Sequence, residues 1–538
     1  MTGWNFADVW ELVVAQIPDA PAQIHGDRRI TWSEFDRRAD GVARYLLDAG
    51  VVEQDKVAQY LYNCPEYLES VYAAFKAGLV PINTNYRYTD SELVYLWDNA
   101  DTVAVVFHAV FTETIERIRD QLPRIVTWLW VDDGSGACPD WATPYEDAAA
   151  TEPGERPVEG PWGRSGDHLS MIYTGGTTGM PKGVMWRQHD LFCNLVGNFM
   201  PDARERVDPE LITAQVAGPG PIGMPACPLM HGTGQYTQLI VMSLGGSVVT
   251  LEGRKLDVIE LLDTVEREKV QQIALVGDAF TKPILAALDA EPDRWDLSNL
   301  FLIASSGVMW SEESKKRLLA YQPGMILVDA FSSSEAIGMG QSTSTAGGTS
   351  NTAKFVLGDN ARVLNDANKD VEPGSGETGR VALKGYVPVG YYKDEEKTAR
   401  TFLEIDGQRY VIPGDYARVE ADGSLTLLGR GSVVINTGGE KVFPEEVEEA
   451  LKTHPSVADA VAVGVPDDKF GEAVVAVVEP ADPAAGLDEA VLIAHVKERL
   501  AAYKAPKQIL PIDTIGRAPN AKVDYKRLKA FARETIGV

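Results

Sequence analysis

Two rhythms of apolar positions alternate along the first hundred residues. In 33–48, Phe35, Ala39, Val42, Ala43, Leu46 and Leu47 recur at spacings of three and four before Gly50, which predicts an amphipathic helix with a glycine stop. Short apolar runs at 57–62, 79–83 and 103–107 predict strands. Residues 67–77, closed by Gly78, and 92–99 predict the helices between them. Helix and strand interleaved at such short range are the pattern of a parallel sheet wound with helices. The rhythm returns at 247–251, 256–268, 272–275 and 300–304. The Pro-, Gly- and acid-rich stretch 134–166 predicts a surface connection. From about residue 430 the order changes to helix 444–453, strands 457–465 and 473–478, and helix 487–500, an α+β unit of domain size.

Size and charge narrow the class. A chain of 538 residues and 58.5 kDa exceeds one hydrophobic core, so two or more domains are expected. At 45% hydrophobic and 24% charged it is not a disordered chain. Fifty basic against 78 acidic residues give a net charge of −28, a field that repels nucleic acid and anionic lipid. Apolar runs fall well short of the ~20 residues of a membrane-spanning helix. The opening MTGWNFADVWELVV lacks the basic start of a secretory signal, so the expected location is cytoplasmic. Cys64, Cys138, Cys193 and Cys227 are scattered without a CxxC pair, which predicts neither a disulfide framework nor a zinc site. Residues 501–538 reverse the charge balance, with eight Lys or Arg against three Asp or Glu. That end is either a docking place for a polyanion or an ordinary solvated helix.

The sharpest chemistry lies in Tyr173-Thr-Gly-Gly-Thr-Thr-Gly-Met-Pro-Lys-Gly183, which leaves the apolar Met171-Ile172. Gly175, Gly176 and Gly179 let backbone N–H groups approach a ligand closely. Thr174, Thr177 and Thr178 add hydroxyls, and Lys182 adds a mobile positive charge. The whole is a nest suited to phosphate oxygens. No GK[ST] closes it, so it is not a Walker loop.

This loop resembles the phosphate loop of the adenylate-forming superfamily of acyl-CoA synthetases, adenylation domains and luciferases. Further stretches resemble that family's successive motifs, in order: Ser305-Ser306-Gly307, 329–340, Pro413-Gly414-Asp415-Tyr416, 429–446 and Pro519-Asn520-Ala521-Lys522. Within the family the chain is most similar to actinobacterial synthetases for fatty, steroid-derived or terpenoid acids. The resemblance implies an α/β fold. A large multi-subdomain N-terminal domain (1–429) with helix-covered sheets precedes a small mobile α+β domain (430–538) hinged near Ser432. It also implies a ligase that uses ATP, Mg²⁺ and coenzyme A to turn a bulky hydrophobic carboxylic acid into its thioester through an acyl-AMP.

By the same resemblance, Asp415 and Arg430 hold the ribose, Asp329, Ala330 and Phe331 hold adenine, and Ser334 binds the α-phosphate beside Ser332. Glu335 binds Mg²⁺ and Lys522 reaches the reacting oxygens. His231 gates an acyl pocket lined by Val276, Gly277, Ser305, Ser306, Gly307, Gly338 and Met339. Gly438, Gly439 and Glu440 line the pantetheine tunnel. Three positions depart from the family: Ser332 and Ala521 replace glycines, and Ala336 replaces a hydroxyl residue. Strain at Ser332, if its φ were positive, would weaken adenylation. The enzyme would then accept an acyl-AMP from a separate adenylating partner. Loading of a carrier protein in place of CoA, an inactive binding subunit and a homodimer also remain open.

Overall fold

The computed structural model describes residues 3–174, 180–308, 310–348, 352–437, 440–467, 471–518 and 523–538; at Arg430, Ser432, Asn436, Glu440 and Lys441 the description is of the backbone. The alternating pattern folds as predicted into parallel sheet covered by helices. The helix Trp32–Asp48 opens where the Thr31 hydroxyl accepts the Glu34 N–H, and its apolar stripe is buried from Phe35 to Leu46. The helix expected from residue 256 begins later, at Val258–Arg267, because the Asp257 carboxylate caps the N–H groups of Ile259 and Glu260. Its Leu261, Leu262 and Val265 are buried, each stabilising the packing by roughly 1.5–3 kcal/mol.

Three sheets organise the described residues. In the fifteen-stranded sheet, Pro21–His25, Ser247–Thr250, Ile222–Pro225, Gln272–Leu275, Leu302–Ser306 and Ile326–Phe331 run parallel in that order. Antiparallel strands continue it through Gly340–Ser344 to Leu425–Arg430 and Asp415–Val419. The eight-stranded sheet sets Val80–Asn83 parallel to Leu169–Thr174, then Lys182–Arg187 and Gly390–Tyr391 antiparallel beyond it. The five-stranded sheet is built wholly from residues after 434, around the long pair Val457–Asp467 and Gly471–Pro480.

One expectation needs correction. The stretch 134–166 is not all surface, because it carries the short helix Tyr145–Ala149, with Tyr145, Ala148 and Ala149 buried. Gly41 of the helix Trp32–Asp48 permits this packing, since a Cβ there would lie 2.4 Å from the Ala149 carbonyl oxygen. The basic end is partly neutralised from within: four of its eight cations are paired. Lys504 pairs with Glu446, Lys507 with Asp467 (3.3 Å), Arg517 with Asp459 (2.5 Å) and Lys529 with Glu472 (2.9 Å). These cations are neutralised by acids of the same unit.

Candidate active site

Open parallel sheets place ligands at the carboxyl ends of their strands, where loops diverge. A cavity of about 2880 Å³ lies at such ends here. Leu302–Ser306 delivers Ser305, Ser306 and Gly307; Ile326–Phe331 delivers Asp329, Ala330 and Phe331; Gln272–Leu275 leads into Val276; Leu169–Thr174 ends on Thr174. Asp415 and Gly429 enter from their paired strands, and Glu448, Lys452, Arg517 and Tyr525 from the carboxy-terminal unit. The chamber is therefore walled by both parts of the chain.

The glycine–threonine loop joins two antiparallel strands, Thr174 standing opposite Lys182. Gly175, Gly176, Thr177, Thr178 and Gly179 lie outside the described residues. Thr174 faces the cavity. Lys182 does not line it; its ammonium pairs with Asp394, whose carboxyl that contact holds below the usual range. Asn83 staples the base of the loop. It accepts the Tyr173 N–H at 2.6 Å and donates to the carbonyls of Tyr173 (2.9 Å) and Met230 (2.6 Å). The Met230 contact holds the segment bearing His231, which is half-buried on the cavity wall at the start of the helix Gly232–Ser243.

The loop after Phe331 is tied down from several sides. Ser332 Oγ accepts the Gly338 N–H at 3.0 Å. Trp186 Nε1 donates to the Ser334 carbonyl at 3.0 Å. Ser332 is absent from the described non-glycine residues with positive φ, whereas Gly338 has φ +92°. The glycine freedom needed in this turn sits at Gly338, so serine at 332 carries no left-handed strain and instead supplies a bond. Glu335 is buried on the cavity wall, its Oε1 accepting from the Tyr391 hydroxyl at 2.9 Å. Among the described residues no lysine or arginine pairs with it. A buried carboxylate facing a chamber without a cationic partner fits a hard divalent ion with oxygen ligands. The other carboxylate cluster, Glu11, Asp36 and Asp40, is already filled by the Lys76 ammonium at 2.7, 2.7 and 2.8 Å.

Asp329 is buried beside Lys315 (3.4 Å), and desolvation pushes its pKa up to about 6 against the lowering effect of that lysine. Phe331 is mostly committed to packing on Phe355, ring centroids 5.6 Å apart, and shows the cavity only a margin. Ser306 Oγ donates to the Ala330 carbonyl at 2.8 Å, locking the two strand ends together. Gly277 (φ +51°) turns the chain into the helix Asp278–Ala290 and donates to Ser305 Oγ at 2.9 Å. It supports the wall without lining it. Met339, an expected pocket residue, is fully buried in the main core and does not reach the cavity, because the turn at Gly338 directs it inward. Gly438, Gly439 and Lys522 lie outside the described residues, as do the side chains of Arg430, Ser432 and Glu440. The Arg430 backbone pairs with Asp415.

Along the helix Gly232–Ser243, Thr233, Tyr236, Thr237 and Ile240 share one face and line the chamber over about 10 Å. Ile172, Leu195, Met230 and Ile337 add apolar side chains to the lining. The polar contributors Asn83, Tyr391, Asp394 and Trp186 carried no local signal in the chain; their roles come from distant elements meeting.

One chamber thus collects the end of the strand hairpin at Thr174 and the helix face of Thr233, Tyr236, Thr237 and Ile240. The chain belongs to the family of AMP-binding enzymes: residues 10–392 match the AMP-binding enzyme family and residues 446–522 its C-terminal domain. It is 40% identical to the medium/long-chain-fatty-acid–CoA/3-oxocholest-4-en-26-oate–CoA ligase of Mycolicibacterium smegmatis, over 98% of this chain and 97% of that protein. It is also 40% identical to the 3-oxocholest-4-en-26-oate–CoA ligase of Rhodococcus rhodochrous, over 98% of this chain and 95% of that protein. Among solved structures it is similar to an anthranilate CoA ligase in complex with anthranoyl-AMP, with TM-score 0.83 and 21% identity over 100% of this chain and 99% of that one. ATP-bound MatB from Rhodopseudomonas palustris shares the fold at TM-score 0.79 and 23% identity, over 98% and 99% of the two chains.

Proposed function

We propose that this chain is an AMP-forming acid–CoA ligase for a bulky hydrophobic carboxylic acid of the fatty or steroid type. The observation that carries the reading is the one chamber whose lining holds Thr174, Glu335, Asp329 and Asp415 together with His231 and the apolar Ile172, Leu195, Met230, Ile240 and Ile337. A carboxylate does not acylate a thiol directly, because oxide is a hopeless leaving group. In the first half-reaction a carboxylate oxygen attacks the α-phosphorus of ATP and pyrophosphate departs, giving acyl-AMP. In the second the CoA thiol attacks the acyl carbon, loses its proton, and AMP departs.

The chain's residues divide this work. Thr174 and the loop beyond it grip the phosphates, and Lys182 joins them on release from Asp394. Asp415, with Arg430, holds the ribose hydroxyls, while the strand end 329–331 receives the base. Glu335 would hold Mg²⁺ and Ser334 the α-phosphate; such an ion, when bound, would supply charge neutralisation for the departing pyrophosphate. His231, Val276, Ser305, Ser306, Gly307 and Gly338 enclose the acyl group. Lys522 reaches the reacting oxygens in the first step. Rotation of 430–538 about Ser432 then brings Gly438, Gly439 and Glu440 to the thiol path.

Full adenylation is favoured over dependence on a partner's acyl-AMP, since Ser332 is unstrained and hydrogen-bonded. The test is a panel of fatty, steroid and diterpenoid acids with ATP, Mg²⁺ and CoA, read by mass spectrometry of the thioesters. Formation of long or polycyclic acyl-CoA is expected; absence of any thioester overturns the reading. Lys522→Ala is expected to lower acid-dependent pyrophosphate exchange on the order of a hundredfold or more, through lost electrostatic stabilisation. Its use of supplied acyl-AMP should stay near wild type, and equal loss in both assays would remove the role given to Lys522.

A further inference from the structure

We infer that Tyr391 is the positioning residue that aims Glu335 at the divalent cation of the first half-reaction, an inference that rests on the ligase reading above. The Tyr391 hydroxyl donates to Glu335 Oε1 at 2.9 Å, and both side chains are buried. With one oxygen committed to a phenol and no basic side chain beside it among the described residues, the carboxylate keeps its second oxygen for a metal.

The phenol is itself held fast. Tyr391 lies opposite Val184 in the antiparallel pair with Lys182–Arg187. Its N–H donates to Thr398 Oγ1 at 2.9 Å, and its ring meets Phe402 edge-on at 5.9 Å. Gly390 makes this approach possible, since a Cβ there would lie 2.6 Å from Thr398 Cγ2. The neighbouring strand grips the same loop from its backbone side through Trp186 and the Ser334 carbonyl. Three residues past Tyr391, Asp394 pairs with Lys182. One short segment thus controls both the metal carboxylate and the cation of the phosphate loop. Partners that orient a metal ligand typically change metal affinity ten- to a hundredfold when removed.

Tyr391→Phe keeps the ring against Phe402 and deletes only the hydroxyl. Mn²⁺ binding to the enzyme with a non-hydrolysable ATP analogue is followed by electron paramagnetic resonance. The Mg²⁺ activation constant of pyrophosphate exchange is measured beside it. The expected result is a rise of about tenfold in both constants, with thioester formation from supplied acyl-AMP within about twofold of wild type. Unchanged Mn²⁺ affinity overturns the inference, whatever happens to turnover. A wild-type enzyme that binds Mn²⁺ with nucleotide yet makes no acyl-AMP strikes instead at the ligase reading, so the two failures are separable.

Discussion

His108 closes the strand Thr102–His108, and its Nδ1 accepts the Tyr62 N–H at 3.1 Å. Burial, the largest effect, lowers its pKa to about 4 from an ordinary value near 6.5. Above pH 6.5 neither folded nor unfolded chain carries the proton, and the stability is whole. As pH falls from 6.5 to 4 the unfolded chain takes up a proton that the folded one refuses, so stability is lost by at most about 3 kcal/mol. His108→Asn keeps an acceptor and removes the titration. Its melting temperature, lower than wild type at pH 7.5, is expected to fall less steeply between pH 6.5 and 4.5; parallel curves would disprove the assignment. At this scale the sequence pointed to residues that the structure brings to the cavity wall where they stand at strand ends, as at Thr174 or Asp329-Ala-Phe331. It was silent on Tyr391 and Asp394, whose partners Glu335 and Lys182 lie 56 and 212 positions away. Met339 was misplaced because its neighbour's φ, invisible in the letters, decides which way it points.

The element scale was the most readable, because periodicity is set by burial on one face, and burial is what the folded sheets impose. Predicted strands at 57–62, 79–83 and 103–107 correspond to Lys56–Tyr60, Val80–Asn83 and Thr102–His108. Ends drifted where a side-chain cap, not hydrophobicity, chose the first turn. The seam between Leu425–Arg430 and the helix Pro444–Lys452 shows what periodicity omits. Gly429 has φ +114°, and a Cβ there would stand 2.1 Å from Glu445 Oε2. Gly429→Ala is expected to destabilise by about 1–2 kcal/mol from the backbone conformation alone. It should also displace that helix from the strand and slow acyl-AMP formation more than use of supplied acyl-AMP. Denaturant unfolding and the two half-reaction assays check this, and a variant with unchanged stability would contradict it.

At the scale of the molecule, a net charge of −28 stands against the polyanions ATP and CoA of the proposed reaction. Four of the eight carboxy-terminal cations, Lys504, Lys507, Arg517 and Lys529, are spent on internal ion pairs. Between 20 and 200 mM salt the screening length shortens from about 20 Å to about 7 Å. At constant free Mg²⁺, kcat/KM for CoA is expected to rise roughly two- to fivefold over that range. A fall would instead reveal a local basic landing place. The two-part wall of the chamber has a further consequence. If the smaller part turns away between half-reactions, the enclosure present at the first step no longer exists at the second. The high-energy mixed anhydride would then be retained by the larger part, which carries most of the chamber wall, while the cover from the smaller part is removed. Fidelity would accordingly depend less on how tightly the substrates are first admitted than on how firmly the larger part grips what the two parts made together.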